Sequence, residues 1–411
     1  MFDKAAGPEV LKQHNRQLVM SAIEAHTPVS RARLARYTKL SRTSISQIVD
    51  ELLPTGIIRE TGESVLTGGR PGLLLELNAD AWHALGVELR DTEWVVVITN
   101  LAGKICRQLN IPAEYKSPED TFRTLGQKLA AIIKQTEYKL LPAVGVGVPG
   151  IVDEEAGVII QSEDRGWVDV PVRRLLEKEI SLRALVINRH IAGGLAESRY
   201  GAGAGKSHVI YVGVDTGVVA ALLIDGQLYK GHAYGSGQIG HITAVPDGPL
   251  CSCGNRGCLE LVASGRALVR LYGEKAGLSG NTGSITVESI CQAAMRGEKI
   301  ALDCLEEMAG HLGIAIANLI NIFNPNGVVI GGSVLQHNDL LFNMIKKVIE
   351  QRTLKYHLSR TTLSPGHFRH NAGSVGTAAL VLDHKLGLLF NHERAVHIQI
   401  KGAPIREKSR T

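Results

Sequence analysis

From Ala84 onward the sequence alternates short apolar runs with amphipathic stretches, and it does so twice. The first series has apolar runs at Leu85 to Leu89, Trp94 to Thr99 and Ala143 to Val148. A helical period lies at Thr121 to Tyr138, and Pro149-Gly150 stops the last run. The second series begins near His208, passes through Leu222 to Ile224 and a helix around Leu302 to Phe323, and ends in Gly327 to Ile330 before Gly331-Gly332. Strands alternating with helices mark an α/β layer architecture, because each strand run needs a helix to cover it. Two such series predict two α/β lobes with a cleft between them. A chain of 411 residues has room for both lobes and a further small domain. No apolar run reaches the roughly 18 to 20 residues of a membrane span. The residues after Met1 lack the basic flank and apolar run of a secretory leader, so a cytoplasmic location without membrane attachment is expected.

The N-terminal stretch has a different period. Leu11, Leu18, Val19, Ala22 and Ile23 share one helical face, and Thr27-Pro28 ends that helix. Ser30 is placed to cap a second helix with Leu34 and Ala35 inward, and Ser41 to cap a third. In the third, Ile45, Ile48, Val49 and Leu52 fall on one side, leaving Arg42, Thr43, Ser46, Gln47 and Asp50 outside. Hydroxyls, an amide and an arginine are residue types that read base edges in the major groove. A strand at Ile57 to Glu60 and another at Leu73 to Leu77 flank Thr67-Gly-Gly-Arg-Pro-Gly72 and predict a wing. Its Arg70 is suited to a narrow minor groove. Net charge is only +5, but Thr27 to Ile45 carries five basic residues and no acidic one. Arg31, Arg33, Arg36 and Lys39 are therefore expected on phosphates. Ser41, Arg42, Thr43, Ser44, Ser46, Gln47 and Arg70 complete the expected contacts to a double-stranded DNA operator.

Three strings in the body occur in order: Gly-Val-Gly-Val-Pro-Gly-Ile-Val-Asp at 145 to 153, Gly240-His241, and Cys-Ser-Cys-Gly-Asn-Arg-Gly-Cys-Leu-Glu at 251 to 260. Asn-Ile-Phe-Asn-Pro at 321 to 325, Gly331-Gly332, and Ala-Gly-Ser-Val-Gly-Thr-Ala-Ala at 372 to 379 follow. Together they resemble the ROK family of repressors and sugar kinases, and with the winged helix-turn-helix its Mlc/NagC-like transcriptional repressor branch. The resemblance implies an actin-like, ROK sugar-kinase-like fold of the ATPase type and a homodimer or homotetramer. The expected domains are a winged helix-turn-helix at 1–78, a first lobe at 79–198, a second lobe with a zinc-binding loop at 199–388, and a polar tail at 389–411.

Residue chemistry supports the zinc expectation independently. Three of six cysteines crowd into eight positions, a spacing that suits metal better than a disulfide scaffold. His241, Cys251, Cys253 and Cys258 supply the four ligands of a closed, structural Zn2+ site, with Gly254 and Gly257 making the turns.

Kinases of this family resemble one another in an Asp-Xaa-Gly-Gly-Thr phosphate loop, where this chain has Glu88-Leu-Arg-Asp-Thr92. Without the glycines, backbone amides cannot close around a phosphate. The family's base is the aspartate of an Asn-Asp pair, which reads Asn188-Arg189 here, and an arginine cannot accept a proton at physiological pH. The second phosphate loop reads Asp215-Thr-Gly-Val-Val-Ala220, with a negative charge and two branched side chains. No catalytic residue is therefore expected. Tyr200 to Ser207 imitates a nucleotide loop but follows a helix and precedes a strand, the reverse of what that motif requires.

By the resemblance, sugar hydroxyls fall to Asn188, Gln238, His241 and Glu260. With Arg189 in place of an aspartate and Gln238 in place of a glutamate, the pocket shifts toward positive charge. An anionic sugar derivative held by Arg189 is one expectation; Arg189 neutralised by Asp215 is the alternative. The chain thus reads as a DNA-binding regulator of carbohydrate-metabolism genes, a repressor by the resemblance, controlled by a sugar or anionic sugar effector. The alternatives are release by a docked phosphotransferase-system protein, favoured by any exposed apolar patch on the second lobe, and an active sugar kinase.

Overall fold

The computed structural model describes residues 8–65, 72–113, 115–278, 285–336 and 339–388. The chain divides into two units, Met1–Ala81 with Leu382–Thr411, and Trp82–Val381. In the first, α1 (Pro8–His26) is followed by the two-residue strand β1 (Val29–Ser30), α2 (Arg31–Thr38) and α3 (Arg42–Leu52). Ser30 and Ser41 cap α2 and α3 as the sequence predicts, their hydroxyls accepting from Arg33 N at 3.4 Å and Ser44 N at 3.0 Å. Ile45, Ile48, Val49 and Leu52 are all buried. The hairpin of β2 (Ile58–Val65) and β3 (Gly72–Leu77) has Ile58 opposite Leu77 and Val65 opposite Gly72. β1 pairs with β3, Val29 opposite Leu75, giving a three-stranded sheet in the order β1-β3-β2. Two residues are too few for a period to show, so β1 escapes sequence reasoning. The wing tip and its Arg70 lie outside the described residues.

In the second unit β4 (His83–Leu89), β5 (Glu93–Asn100) and β6 (Ile105–Pro112) form an antiparallel run, covered by α4 (Pro118–Gln135), after which β7 (Leu140–Val148) lies parallel to β4. β6 was not foreseen: Arg107 and Gln108 are exposed on this edge strand, so it has no apolar alternation. A small sheet of β8 (Ile151–Asp153), β9 (Val158–Ser162) and β10 (Trp167–Val170) follows, then α5 (Val172–Leu176), β11 (Arg183–Asn188) and α6 (Arg189–Tyr200). The main sheet of this lobe runs β11-β7-β4-β5-β6.

The second lobe begins with β12 (Val209–Val214), β13 (Val218–Ile224) and β14 (Gln227–Leu228). Then come α7 (Glu260–Ala263), α8 (Gly265–Lys275), α9 (Val287–Met295) and α10 (Lys299–Phe323), followed by β15 (Gly327–Gly331), α11 (Asp339–Arg352), α12 (Lys355–Leu358) and β16 (Thr362–Pro365). Its sheet runs β14-β13-β12-β15-β16. α10 drives Leu305, Leu312, Ile316 and Ile320 into a core shared with Val212, Val328 and Ile330.

The last helix, α13 (Ala372–Leu388), falls within the stretch expected to form the second lobe, yet its first turns pack on the first lobe's sheet. A Cβ added at Gly145 of β7 would sit 1.9 Å from Thr377 O, and one at Gly376 would sit 1.7 Å from Ala192 O of α6. α6 in turn leans on the second sheet, where a Cβ at Gly194 would lie 2.3 Å from Ala221 Cβ. The expected boundary between 198 and 199 therefore falls inside the last turn of α6. The two lobes exchange helices across glycines.

That packing gives a paired prediction. Gly145→Ala places a methyl against immovable backbone and is expected to destabilise the protein by ~1–3 kcal/mol. Gly310→Ala, in the middle of α10 with nothing within 4 Å of the new methyl, is expected to stabilise it by ~0.5–1 kcal/mol. Urea denaturation of both variants checks the contrast; equal effects would refute the close packing of α13.

Candidate functional site

A cavity of about 300 Å³ opens between the lobes, with Gly150 and Ser162 on the first-lobe wall and Gln238 and Glu260 on the second. All five residues expected at a ligand, Asn188, Arg189, Gln238, His241 and Glu260, line it. Asn188 is largely committed to the fold: its Oδ1 accepts from His190 N at 2.8 Å and Ile191 N at 3.1 Å to cap α6, and its Nδ2 donates to Gly150 O at 2.8 Å. One amide hydrogen is left for a ligand. Burial pushes the Glu260 carboxyl above its ordinary value, against the opposing charge of His241. Ser162, Glu163 and Asp164 also line the cavity, and sequence reasoning missed all three. They follow the short strand β9 without any motif. The Ser162 hydroxyl is buried and has no hydrogen-bond partner.

Arg189 is 6 % exposed. Its guanidinium donates to Leu89 O of the first lobe at 3.4 Å and to Thr216 Oγ1 of the second at 3.2 Å, and Nε has no partner. It is hydrogen-bonded to neutral groups, whereas Asp215 bonds to His190 Nε2 at 2.8 Å and Ser333 N at 2.5 Å. His190 was not singled out from the sequence; nothing there distinguishes it from an ordinary helix residue.

Both phosphate-loop positions are filled by the chain itself. Arg90 donates to Glu88 at 3.0 Å, to Glu93 at 3.3 Å and to His370 O. The Arg90 carbonyl accepts from Tyr115 Oη and, at 3.2 Å, from Arg165, which lies over the Tyr115 ring. At the end of β4 the backbone thus offers carbonyls to cations where a phosphate loop offers amides to an anion. In the second loop only Asp215, Thr216 and Gly217 form the turn. Val218 and Val219, expected to crowd it, are strand residues of β13 opposite Val214 and Gly213.

In the N-terminal unit Arg42, Thr43 and Gln47 are exposed on α3, with Ser41 exposed beside them and Ser44 and Ser46 partly so. Arg31 lies 2.9 Å from Asp50 and is neutralised within the unit. Arg33, Arg36, Lys39 and Arg42 are exposed, with no carboxylate in ion-pair range among the described residues. The nearly buried Arg16 and Lys12 of α1 both hold Glu51 of α3. Burial alone would raise the Glu51 carboxyl; these two cations bring it below its ordinary value.

The thiols of Cys251, Cys253 and Cys258 and a ring nitrogen of His241 lie within 4.8 Å of one another. Cys253 Sγ is 3.6 Å from Cys258 Sγ, and Cys251 Sγ is 3.8 Å from His241 Nδ1. A tetrahedral ion with bonds of about 2.3 Å to sulfur sets its ligands roughly 3.8 Å apart. The four groups fit such an ion. Gly257, with φ +65°, packs so closely on Val245 O that a Cβ would sit 1.7 Å from it, and this contact shapes the loop.

Residues 84–384 match the family model described as ROK family. The chain belongs to the ROK family. It is 30% identical to the xylose repressor of Caldicellulosiruptor bescii over 393 residues, covering 92% of this chain and 97% of that relative. Among solved structures it is similar to a ROK family transcriptional regulator, a homolog of the E. coli Mlc protein, with TM-score 0.80 and 26% identity over 93% of this chain and 99% of that one. It is also similar to a ROK family glucokinase from Streptomyces griseus in complex with glucose and AMPPNP, with TM-score 0.66 and 28% identity over 72% of this chain and 98% of that one. The likeness to the two regulators spans nearly the whole ROK chain. Among the described residues no helix is long and apolar enough to cross a membrane.

An ion in the cysteine cluster would be released by a strong chelator, lowering the melting temperature, and Cys258→Ser would lower metal content measured by atomic emission. Unchanged melting together with a metal-free preparation would show that the cluster holds no ion.

Proposed function

We propose that this ROK protein is a sugar-responsive, DNA-binding repressor of carbohydrate-metabolism genes that phosphorylates no substrate. The carrying observation is the capped helix α3, which turns Arg42, Thr43 and Gln47 outward in a chain similar to named repressors along nearly its full length. These side chains read base edges, while Arg33, Arg36 and Lys39 hold phosphates; Arg70 of the wing is assigned to the minor groove from sequence alone. The absence of phosphoryl transfer is supported by Arg189, which stands buried at the position of the kinase base.

The effector sits in the cavity of about 300 Å³ between the lobes. Arg189 already donates to Leu89 O and Thr216, and Glu163, Asp164 and Glu260 share the cavity wall. Carboxylates accept hydroxyl hydrogens and repel anions, so a neutral sugar is favoured over an anionic derivative. Asn188, Gln238, His241 and Glu260 are the hydroxyl partners. Zinc is the ion assigned to His241, Cys251, Cys253 and Cys258, since three thiolates and an imidazole filling four positions suit a structural zinc. By ordering the loop that leads to Glu260, it shapes the second-lobe wall.

A sugar bound to both walls changes the angle between lobes and so the population competent for DNA. The protein works as a dimer reading two half-sites. The pairing face is an exposed apolar patch on the second lobe, Ile322 at 72 %, Leu354 at 60 % and Tyr356 at 61 % exposure. Asn321 joins its halves, bonding to Arg352 O at 3.3 Å and Leu354 N at 3.0 Å. Acidic Asp303 toward the start of α10 and basic Lys355 beside the patch, both exposed, would meet across an antiparallel pair of α10 helices.

Selection from random duplex DNA at fixed salt is expected to enrich a palindromic site, which screening of neutral pentoses and hexoses would release. Arg42→Ala is expected to weaken it by ~10-fold or more, within the 1–3 kcal/mol of a base contact. Failure of folded, metal-loaded protein to enrich any site would remove the reading. Ile322→Glu is expected to halve the mass seen by light scattering. A dimer that persists would assign the patch to another protein, with a phosphotransferase-system subunit as the first candidate.

A further inference from the structure

Four positively polarised groups converge on one carboxylate at the centre of the two-lobed body. Asp215 occupies the turn between β12 and β13, and its side chain is 20 % exposed. One oxygen faces His190 Nε2 at 2.8 Å and the other accepts from the backbone N–H of Ser333 at 2.5 Å. The charges of Arg189 and Arg90 act on it from the first lobe. Burial alone would raise this carboxyl, and these neighbours instead hold it well below the usual carboxylate range. The surroundings thus favour an anion strongly enough to overcome desolvation.

The anion faces a room. Asp215, Thr216 and Ser333 line a second cavity of about 590 Å³, whose opposite side carries Arg266 and Arg270. Arg189 Nε, buried and without a partner, is an unused donor beside the same turn. Backbone N–H, imidazole and guanidinium donors around one point make the donor set of an oxyanion site. Here the chain supplies the oxyanion.

We propose that Asp215 is a built-in anion: its carboxylate fills a site suited to a tetrahedral oxyanion such as phosphate and closes the larger cavity to phosphoryl ligands. A phosphate entering there would bring a second negative charge within hydrogen-bond reach of the first, and each would have to share the same donors. The lobes are held by His190, Ser333 and Asp215 on one side and Leu89, Arg189 and Thr216 on the other, with no ligand needed between them. This inference does not depend on which sugar fills the smaller cavity.

Removing the carboxylate should leave the donors waiting. Full-length, metal-loaded Asp215→Ala is expected to melt lower than wild type in chloride. Inorganic phosphate at matched ionic strength is expected to restore melting saturably, with an affinity at least ~tenfold above that of wild type. Isothermal titration gives the same comparison directly. Phosphate binding no tighter in the variant than in wild type would overturn the proposal. Should the variant fail to fold in chloride, refolding in formate or phosphate decides: recovery supports a vacated anion site, and failure in both overturns it.

Discussion

The meeting of α13 with β7 and α6 is the contact on which the rest of the body depends. At Gly145 and Gly376 a single methyl would run into backbone carbonyls, and at Gly147 it would lie 2.9 Å from Thr377 Cγ2 and 3.4 Å from Arg189 Cα. The last helix therefore lies directly against the strand that ends at Pro149-Gly150 and against the first turns of α6. Asn188, Arg189 and His190 have their places because of that approach. Asn188 caps α6 and holds Gly150, Arg189 reaches both lobes, and His190 reaches Asp215. Glu88 is bound into the same assembly, since its carboxylate accepts from Ser374 N at 3.1 Å at the start of α13.

Much of this architecture is visible in the sequence, and what was hidden was hidden for physical reasons. Ser30 and Ser41 cap their helices because a serine before an amphipathic run has only one good use there. The strands β4, β5, β7 and β15 are buried on both faces and read as continuous apolar runs. The edge strand β6 and the two-residue β1 carry no such signal. The return of α13 to the first lobe is a long-range fact that only its small residues hint at. The candidate site was legible where chemistry is concentrated, in the thiols and imidazole of the cysteine loop and in Asn188, Gln238 and Glu260. It was illegible at Ser162 to Asp164, which reach the cavity only because β9 and β10 fold back beneath it. The partners of Arg189 were also out of reach: the sequence offered Asp215 as its counter-ion, and the fold gave that carboxylate to His190.

Charge in this protein is arranged so that each cation at the cleft has a structural task. Arg90 is fixed among Glu88, Glu93 and a carbonyl, Arg165 stacks on Tyr115, and Arg189 spans two loops. Buried guanidinium groups are tolerable only when their N–H groups find acceptors, and carbonyls at the end of β4 supply several. The same device operates in the N-terminal unit, where Arg16 and Lys12 hold Glu51 and so fix the tilt of α3 on α1.

His241 belongs to two places at once, facing Cys251 through Nδ1 while its ring lines the smaller cavity. One imidazole shared by an ion and an effector cannot respond to either alone. Under the proposed reading the two occupancies are thermodynamically linked, and the factor by which a sugar tightens the metal equals the factor by which the metal tightens the sugar. A cell short of metal would then have a regulator that is also deaf to its sugar, so that availability of the ion and of the carbohydrate enter transcription through the same side chain.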